Sequence, residues 1–175
     1  MALPGLTLVI GGAASGKSAQ AEALVRAVSG TRVYIATAQA FDDEMRAKIA
    51  AHQTLRAGDG WRTVEAPFDV AAAIRALAPS EVALLDCATF WLSNQMLADR
   101  DWRTEADQLI DALKRSRAPV VVVSNETGQG IVPENALARA FRQAQGELNQ
   151  NLAAEAELVM AVMAGLPLVL KGEAP

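Results

Sequence analysis

The chain has 175 residues, which favours one domain with room for a proper core. Half of it is apolar with few aromatics, so aliphatic side chains fill that core and the composition is globular rather than disordered. A net charge of −4 gives no general basic surface and argues against a nucleic-acid partner.

Cys87 is the only cysteine, so an intrachain disulfide is excluded and a reducing cytoplasm is the expected location. The first residues lack a basic region ahead of their apolar run and do not read as a signal peptide. Leu158 to Leu170 is apolar, but Gly165 and Pro167 interrupt it and it is too short to span a bilayer.

In chain order, Leu6 to Ile10 reads as a buried strand, and Ala19 to Val25 belongs to a first helix that Ser29-Gly30 stops. Arg32–Ala36 is a second strand. Phe41 to Arg56 has helical character, with Asp42, Asp43 and Glu44 in its first turn, where the helix dipole favours acids. Gly58-Asp59-Gly60 is a turn, Trp61–Glu65 a short extended piece, and Phe68–Leu77 a helix entered after Pro67. Val82–Asp86 is an apolar strand ending in a carboxylate. Helices are predicted over Thr89–Ala98 and Trp102–Ser116, the latter with Ala106, Leu109, Ile110 and Leu113 near a helical period. Val120–Ser124 is the most strand-like segment of all. Asn125 to Pro133 is a glycine-containing loop, Glu134–Glu155 a long helix, and Leu158–Val162 another strand; Pro167–Leu170 is a last strand at the sheet edge. Strands apolar throughout and separated by helices imply a mostly parallel sheet covered on both faces, with an antiparallel strand at one edge. Ligands are then expected at the carboxyl ends of the strands. The whole chain, 1–175, reads as a single α/β domain without repeats or linkers.

The first strand and first helix enclose Gly11-Gly12-Ala13-Ala14-Ser15-Gly16-Lys17-Ser18, the full pattern of a phosphate-binding P-loop in its required context. Glycines let successive backbone N–H groups turn inward as an anion nest, and the helix that follows points its unpaired N–H groups the same way. Lys17 is expected to reach the β- and γ-phosphates, and the Ser18 hydroxyl to ligate Mg²⁺.

Asp86 closes its strand where P-loop enzymes keep the acid that holds Mg²⁺, though an Asp there also suits a helix cap. Asn125 and Glu126 follow the Val120–Ser124 strand and should face the same crevice; Glu126 reads equally as a base, a substrate contact or a solvated loop acid. His52 is the only histidine, with Arg46, Lys48 and Arg56 nearby. An imidazole there is either a structural histidine or a nucleophile toward a nucleotide α-phosphate, with neighbouring cations neutralising the transferred group.

Taken together, these pieces resemble the bifunctional adenosylcobinamide kinase / adenosylcobinamide-phosphate guanylyltransferase family of cobalamin biosynthesis. The resemblance is carried by the P-loop, Tyr34-Ile35-Ala36-Thr37-Ala38, Asp42-Asp43-Glu44-Met45, Ile49, His52, Arg56, Trp61-Arg62-Thr63 and Glu65. It continues through Leu84-Leu85-Asp86-Cys87, Trp91-Leu92-Ser93-Asn94, Ser124-Asn125-Glu126, Gly128, Gly130-Ile131-Val132-Pro133, Arg139, Phe141-Arg142, Gly146 and Asn149-Gln150. It implies a RecA-like P-loop NTPase fold in three layers and a homotrimer with sites near subunit boundaries. It also implies ATP and GTP as substrates with Mg²⁺. The implied chemistry is phosphorylation of adenosylcobinamide, then transfer of GMP to its phosphate through a guanylyl-histidine, with His52 at the matching position. Arg56 and Arg62 match basic positions that steady a triphosphate or GMP, and Glu65 and Asp86 are implied contacts to nucleotide or metal. The chain departs from the family pattern at Ala14 and Gln143, where Arg and Asp are common, and at Ala51, where some members carry a second histidine. Two rival readings remain at this stage: a P-loop kinase of another metabolite, and a nucleotide-gated binding module.

Overall fold

The computed structural model describes residues 3–39, 50, 54 and 58–174. Among them the chain runs β1 (Leu6–Gly11), α1 (Lys17–Arg26), β2 (Thr31–Ala36), β3 (Trp61–Glu65), α2 (Val70–Arg75) and β4 (Glu81–Asp86). It continues through α3 (Ala88–Leu97), α4 (Trp102–Arg115), β5 (Val120–Asn125), α5 (Ala136–Glu155), β6 (Leu158–Met163) and β7 (Leu166–Lys171). Of the helix expected over Phe41–Arg56 only Ala50 and Thr54 are described, both helical, with Thr54 Oγ1 donating to the Ala50 carbonyl at 2.9 Å; the other positions lie outside the described residues.

The strands form one seven-stranded sheet in the order β3-β2-β4-β5-β1-β6-β7. Every pairing is parallel except β6 with β7. The mostly parallel sheet with an antiparallel edge is therefore what the sequence led us to expect. Its parallel strands share one carboxyl edge, and the junctions after β1, β4 and β5 all lie there.

The run Val120-Val121-Val122-Val123 explains why a continuous apolar strand must be central. Val120 and Val122 face a core with Leu6, Leu8, Ile35, Leu85 and residues of α2 to α5. Val121 and Val123 face a second core with Val9, Leu84, Val25 and Val162 beneath α1. Successive side chains of a strand point to opposite faces, so a strand buried on both sides cannot alternate apolar with polar. The result is three layers.

Element boundaries shift where side chains claim backbone groups. The helix expected from Phe68 begins at Val70, because the Phe68 carbonyl accepts from Trp91 Nε1 at 2.9 Å and Gln95 Nε2 at 3.0 Å. The long helix begins at Ala136 rather than Glu134, since Asn135 caps it by accepting from the Ala138 N–H at 3.1 Å. The β6–β7 hairpin turns through Ala164 (φ 52) and Gly165 (φ 78), two positive φ values of the kind a tight twisted hairpin needs.

Candidate active site

The P-loop is built by backbone geometry that few sequences allow. Gly16 adopts φ 92 at the entry to α1, a left-handed conformation costly for any residue with a Cβ. A Cβ on Gly11 would lie 2.6 Å from the Val162 carbonyl oxygen and 2.5 Å from Ser15 Oγ, so this position admits only glycine. No side chain caps α1, and its first turn carries no acid. Its leading N–H groups and positive dipole end are thus directed at whatever sits above the loop. Lys17 Nζ donates to the Gly12 carbonyl at 3.0 Å, which holds one of its three protons and leaves two for phosphate oxygens.

A brace that the sequence did not suggest supports the loop from behind. The Gly165 N–H donates to the Ser15 carbonyl at 2.8 Å, and Gln20 Nε2 donates to the Gly165 carbonyl at 3.1 Å. The β6–β7 turn therefore backs the loop. A positive-φ Ala-Gly pair between two apolar runs is a hairpin signal, but what the turn packs on is a long-range fact.

Asp86 ends β4 on the same carboxyl edge as Gly11, with β5 between their strands. Its Oδ2 accepts from the Tyr34 hydroxyl at 2.9 Å, which orients the carboxylate from β2. The peptide that follows, Asp86–Cys87, is cis. Burial, with the Asp86 charge as a lesser cause, pushes the Cys87 thiol up to about 11, so this cysteine is a protonated packing group rather than a nucleophile.

Behind this edge lies a polar clasp. Thr37 Oγ1 donates to the Cys87 carbonyl at 2.7 Å and accepts from the Cys87 N–H at 2.9 Å. Asn94 Nδ2 donates to the carbonyls of Thr37 and Pro67, each at 2.8 Å. Both protons of one amide thus tie the exits of β2 and β3 to α3. The β2–β3 connection, which contains His52 in the sequence, starts from this clasp. His52 and Arg56 themselves lie outside the described residues.

Glu126 and Asn125 follow β5 as expected. The Glu126 N–H donates to the Gly11 carbonyl at 3.0 Å, tying this loop to the strand that carries the P-loop. Its carboxylate accepts from the Gly128 N–H at 2.5 Å, shaping the turn. The Asn125 backbone is fixed by Thr89 Oγ1 (2.8 Å) and Asn149 Nδ2 (3.0 Å), the latter part of a buried network with Ser124 and Gln145.

Two other candidates stand apart from the P-loop within the chain. Glu65 is the last residue of β3, four strand positions from β1 and so on the order of 19 Å across the sheet. With Val64, Ala66, Pro67, Phe68, Asp69 and Ala73 it lines a separate hollow of about 260 Å³. Arg62 lies near the opposite, amino end of β3, where it donates to Glu81 Oε1 at 2.6 Å and holds that carboxyl below its ordinary range.

Comparison with known proteins agrees with this architecture. The profile of the family described as "Cobinamide kinase / cobinamide phosphate guanyltransferase" matches residues 7–170. A relative from Pseudomonas aeruginosa, named bifunctional adenosylcobalamin biosynthesis protein CobP, is 45% identical over 170 residues, covering 95% of this chain and 97% of its own. The Escherichia coli K12 protein named bifunctional adenosylcobalamin biosynthesis protein CobU is 43% identical, covering 95% and 99%. Among solved structures, the RadB recombinase superposes with a TM-score of 0.53 at 16% identity, covering 91% of this chain and 74% of that one, a likeness of fold alone. With a RecA-like P-loop fold and relatives matched along nearly their full length, this chain belongs to the cobinamide kinase / cobinamide phosphate guanylyltransferase family.

Proposed function

We propose that the chain, acting as one nucleotide-binding domain, phosphorylates adenosylcobinamide and then converts the phosphate to adenosyl-GDP-cobinamide. The observation that carries this reading is the uncapped, glycine-bounded N-terminus of α1 with Lys17 over it and Asp86 on the same sheet edge. In the first reaction the hydroxyl of the aminopropanol arm attacks the γ-phosphorus of the triphosphate. The P–O bond to the leaving nucleoside diphosphate breaks, and the alcohol loses its proton. Backbone N–H groups of residues 12–18 and the two unengaged protons of Lys17 neutralise charge on the transferred group, which is most of what phosphoryl transfer needs from a protein. Glu126 and Asn125, joined to the P-loop strand through Gly11, are positioned as candidates for contact with the acceptor.

Ser18 and Asp86 supply a hydroxyl and a carboxylate, the hard oxygen donors that Mg²⁺ takes alongside nucleotide phosphates and water. Held by Ser18 and Asp86, such an ion would supply positive charge that offsets the charge of the phosphates.

In the second reaction His52 attacks the α-phosphorus of GTP and pyrophosphate leaves. The phosphate of the first product then displaces the imidazole, so one difficult displacement becomes two easier ones. Arg56 is the proposed stabiliser of the transferred GMP. Glu65 and its hollow are the proposed nucleotide contacts beside the β2–β3 connection. Arg62 is the proposed second basic contact to the triphosphate or GMP; its ion pair with Glu81 uses one guanidinium nitrogen and leaves further donors.

We further propose a cytoplasmic homotrimer. Support for assembly comes from the β6–β7 edge, where Met163 (71%) is exposed at the end of β6 and Leu166 (72%) and Leu168 (58%) are exposed on β7, the strand that pairs on one side only. No helix among the described residues is long and apolar enough to cross a membrane.

The test is incubation with α-labelled GTP and Mg²⁺ followed by denaturation. Acid-labile, base-stable label on the protein, lost in His52→Ala, is the expected result. Label that persists in His52→Ala refutes the carrier assignment, and phosphorylation without any label reduces the protein to a kinase.

A further inference from the structure

A cleft of about 470 Å³ lies between the 128–133 loop and α5, lined in part by Val132, Arg139, Arg142, Gln143, Gly146 and Gln150. One wall is the loop that the Glu126–Gly11 hydrogen bond ties to the P-loop strand, so the cleft adjoins the edge where phosphate is handled.

Three features distinguish it from an incidental groove. Arg142 donates to the Gly128 carbonyl, and Arg139 to those of Pro133 and Glu134, so both guanidiniums are pinned against the loop. A guanidinium has five donors in a rigid fork, so each keeps protons for a further partner. Second, Gly146 sits inside the 20-residue helix α5, where glycine weakens a helix relative to alanine. Nothing lies within 4 Å of the position its Cβ would take, so the fold supplies no steric reason for glycine there. Third, Val132 is 65% exposed and its neighbour Ile131 96%, an apolar rim on an otherwise polar site.

The one acid among the described lining residues is already matched: Glu147 accepts from Arg103 at 2.7 Å and from Gln143 at 3.1 Å. The cleft therefore offers neutral amides and spare guanidinium donors beside an apolar rim. That chemistry suits a broad apolar plate fringed with carboxamides, whose carbonyls need donors and whose NH₂ groups need acceptors.

We propose that this cleft is the acceptor subsite, binding the amide-bearing edge of the corrinoid between Arg142, Gln143 and Gln150 and its apolar face against Val132. The assignment rests on the kinase reading above and names where its substrate sits. Gly146 leaves the depth that the corrin edge occupies, and the 126–133 loop carries the bound acceptor's hydroxyl arm toward the P-loop.

The experiment uses the full-length protein with a non-hydrolysable ATP analogue and cobinamide, comparing parent, Gly146→Leu and Val132→Asp. Leu is a good helix former and Val132 is exposed, so both variants should fold, with a melting temperature for Gly146→Leu at or above the parent's. Each should weaken cobinamide binding at least about tenfold while the analogue's Kd changes less than about twofold. A parent that phosphorylates cobinamide while both variants bind it unchanged overturns the subsite alone. A parent with no action on any corrinoid overturns the functional reading and the subsite with it. Weakened binding that merely tracks dissociation of the assembly, read by sedimentation at the same concentrations, assigns the cleft to a subunit contact and overturns the proposal.

Discussion

The Gly165 N–H donates to the Ser15 carbonyl across 2.8 Å, so the turn of an edge hairpin forms the back of the P-loop 150 positions earlier in the chain. Gln20 completes the contact from α1, through Nε2 to the Gly165 carbonyl. Gln20→Leu replaces a half-buried side chain with an apolar one of similar bulk and removes this bond. Its expected cost in stability is about 1 kcal/mol, measured by urea unfolding. Nucleotide affinity should fall about three- to tenfold, because the loop loses its support while its own sequence is intact. An unchanged affinity would mean that the loop is held by its own backbone alone.

On the proposed role of its ammonium in neutralising charge on the transferred group, Lys17→Ala should lower the rate of phosphoryl transfer by at least about a hundredfold. Among the described residues the Lys17 ammonium hydrogen-bonds the Gly12 carbonyl, a single bond, so the melting temperature should move little. Rate loss without stability loss is the signature to look for in paired kinetic and thermal measurements.

Asn94 is the opposite case. Its amide serves two carbonyls, those of Thr37 and Pro67, from a side chain that is almost fully buried. Asn94→Leu strands both acceptors and should cost about 2–4 kcal/mol in chemical denaturation. Because the clasp anchors the start of the β2–β3 connection, guanylyl labelling from GTP should fall further than kinase turnover does.

The Cys87 thiol yields a prediction about pH. Burial raises it from 9.0 to about 11, so the folded state binds a proton that the unfolded state releases between those values. Stability contributed by the neutral thiol is complete below pH 9 and lost as pH rises toward 11, by about 2–3 kcal/mol in total. Cys87→Ala should flatten the alkaline limb of a stability–pH curve. In the parent at pH 8, thiol reagents should react far faster after denaturation than before it.

Much of this was legible in one dimension because the relevant physics is local. A P-loop announces itself through glycines that must be glycines, a lysine and a hydroxyl at set spacing, and apolar runs on either side with periods of strand and helix. Asp86 could be placed at a strand's carboxyl end, and hence on the ligand edge, from the direction rule for parallel sheets. The valine run made Val120–Ser124 the most strand-like segment of the sequence; its burial on both faces is what the structure adds. The beginnings of α2 and α5 were misread by two residues, because the groups that decide them are Trp91, Gln95 and the Asn135 cap.

The amino-acid order by itself determined the phosphate-binding junction, the two-sided sheet and the membership of the chain in its family, since each depends on spacing along a few residues. Only the tertiary structure decided that Tyr34 orients Asp86 and that the Ala164-Gly165 turn braces Ser15. It alone decided, too, that Arg62 pairs with Glu81 and that Arg139, Arg142 and Gly146 share one cleft. Those relationships join residues far apart in the chain. Strand order creates them, and strand order follows from burying all the apolar faces at once rather than from any one segment's pattern.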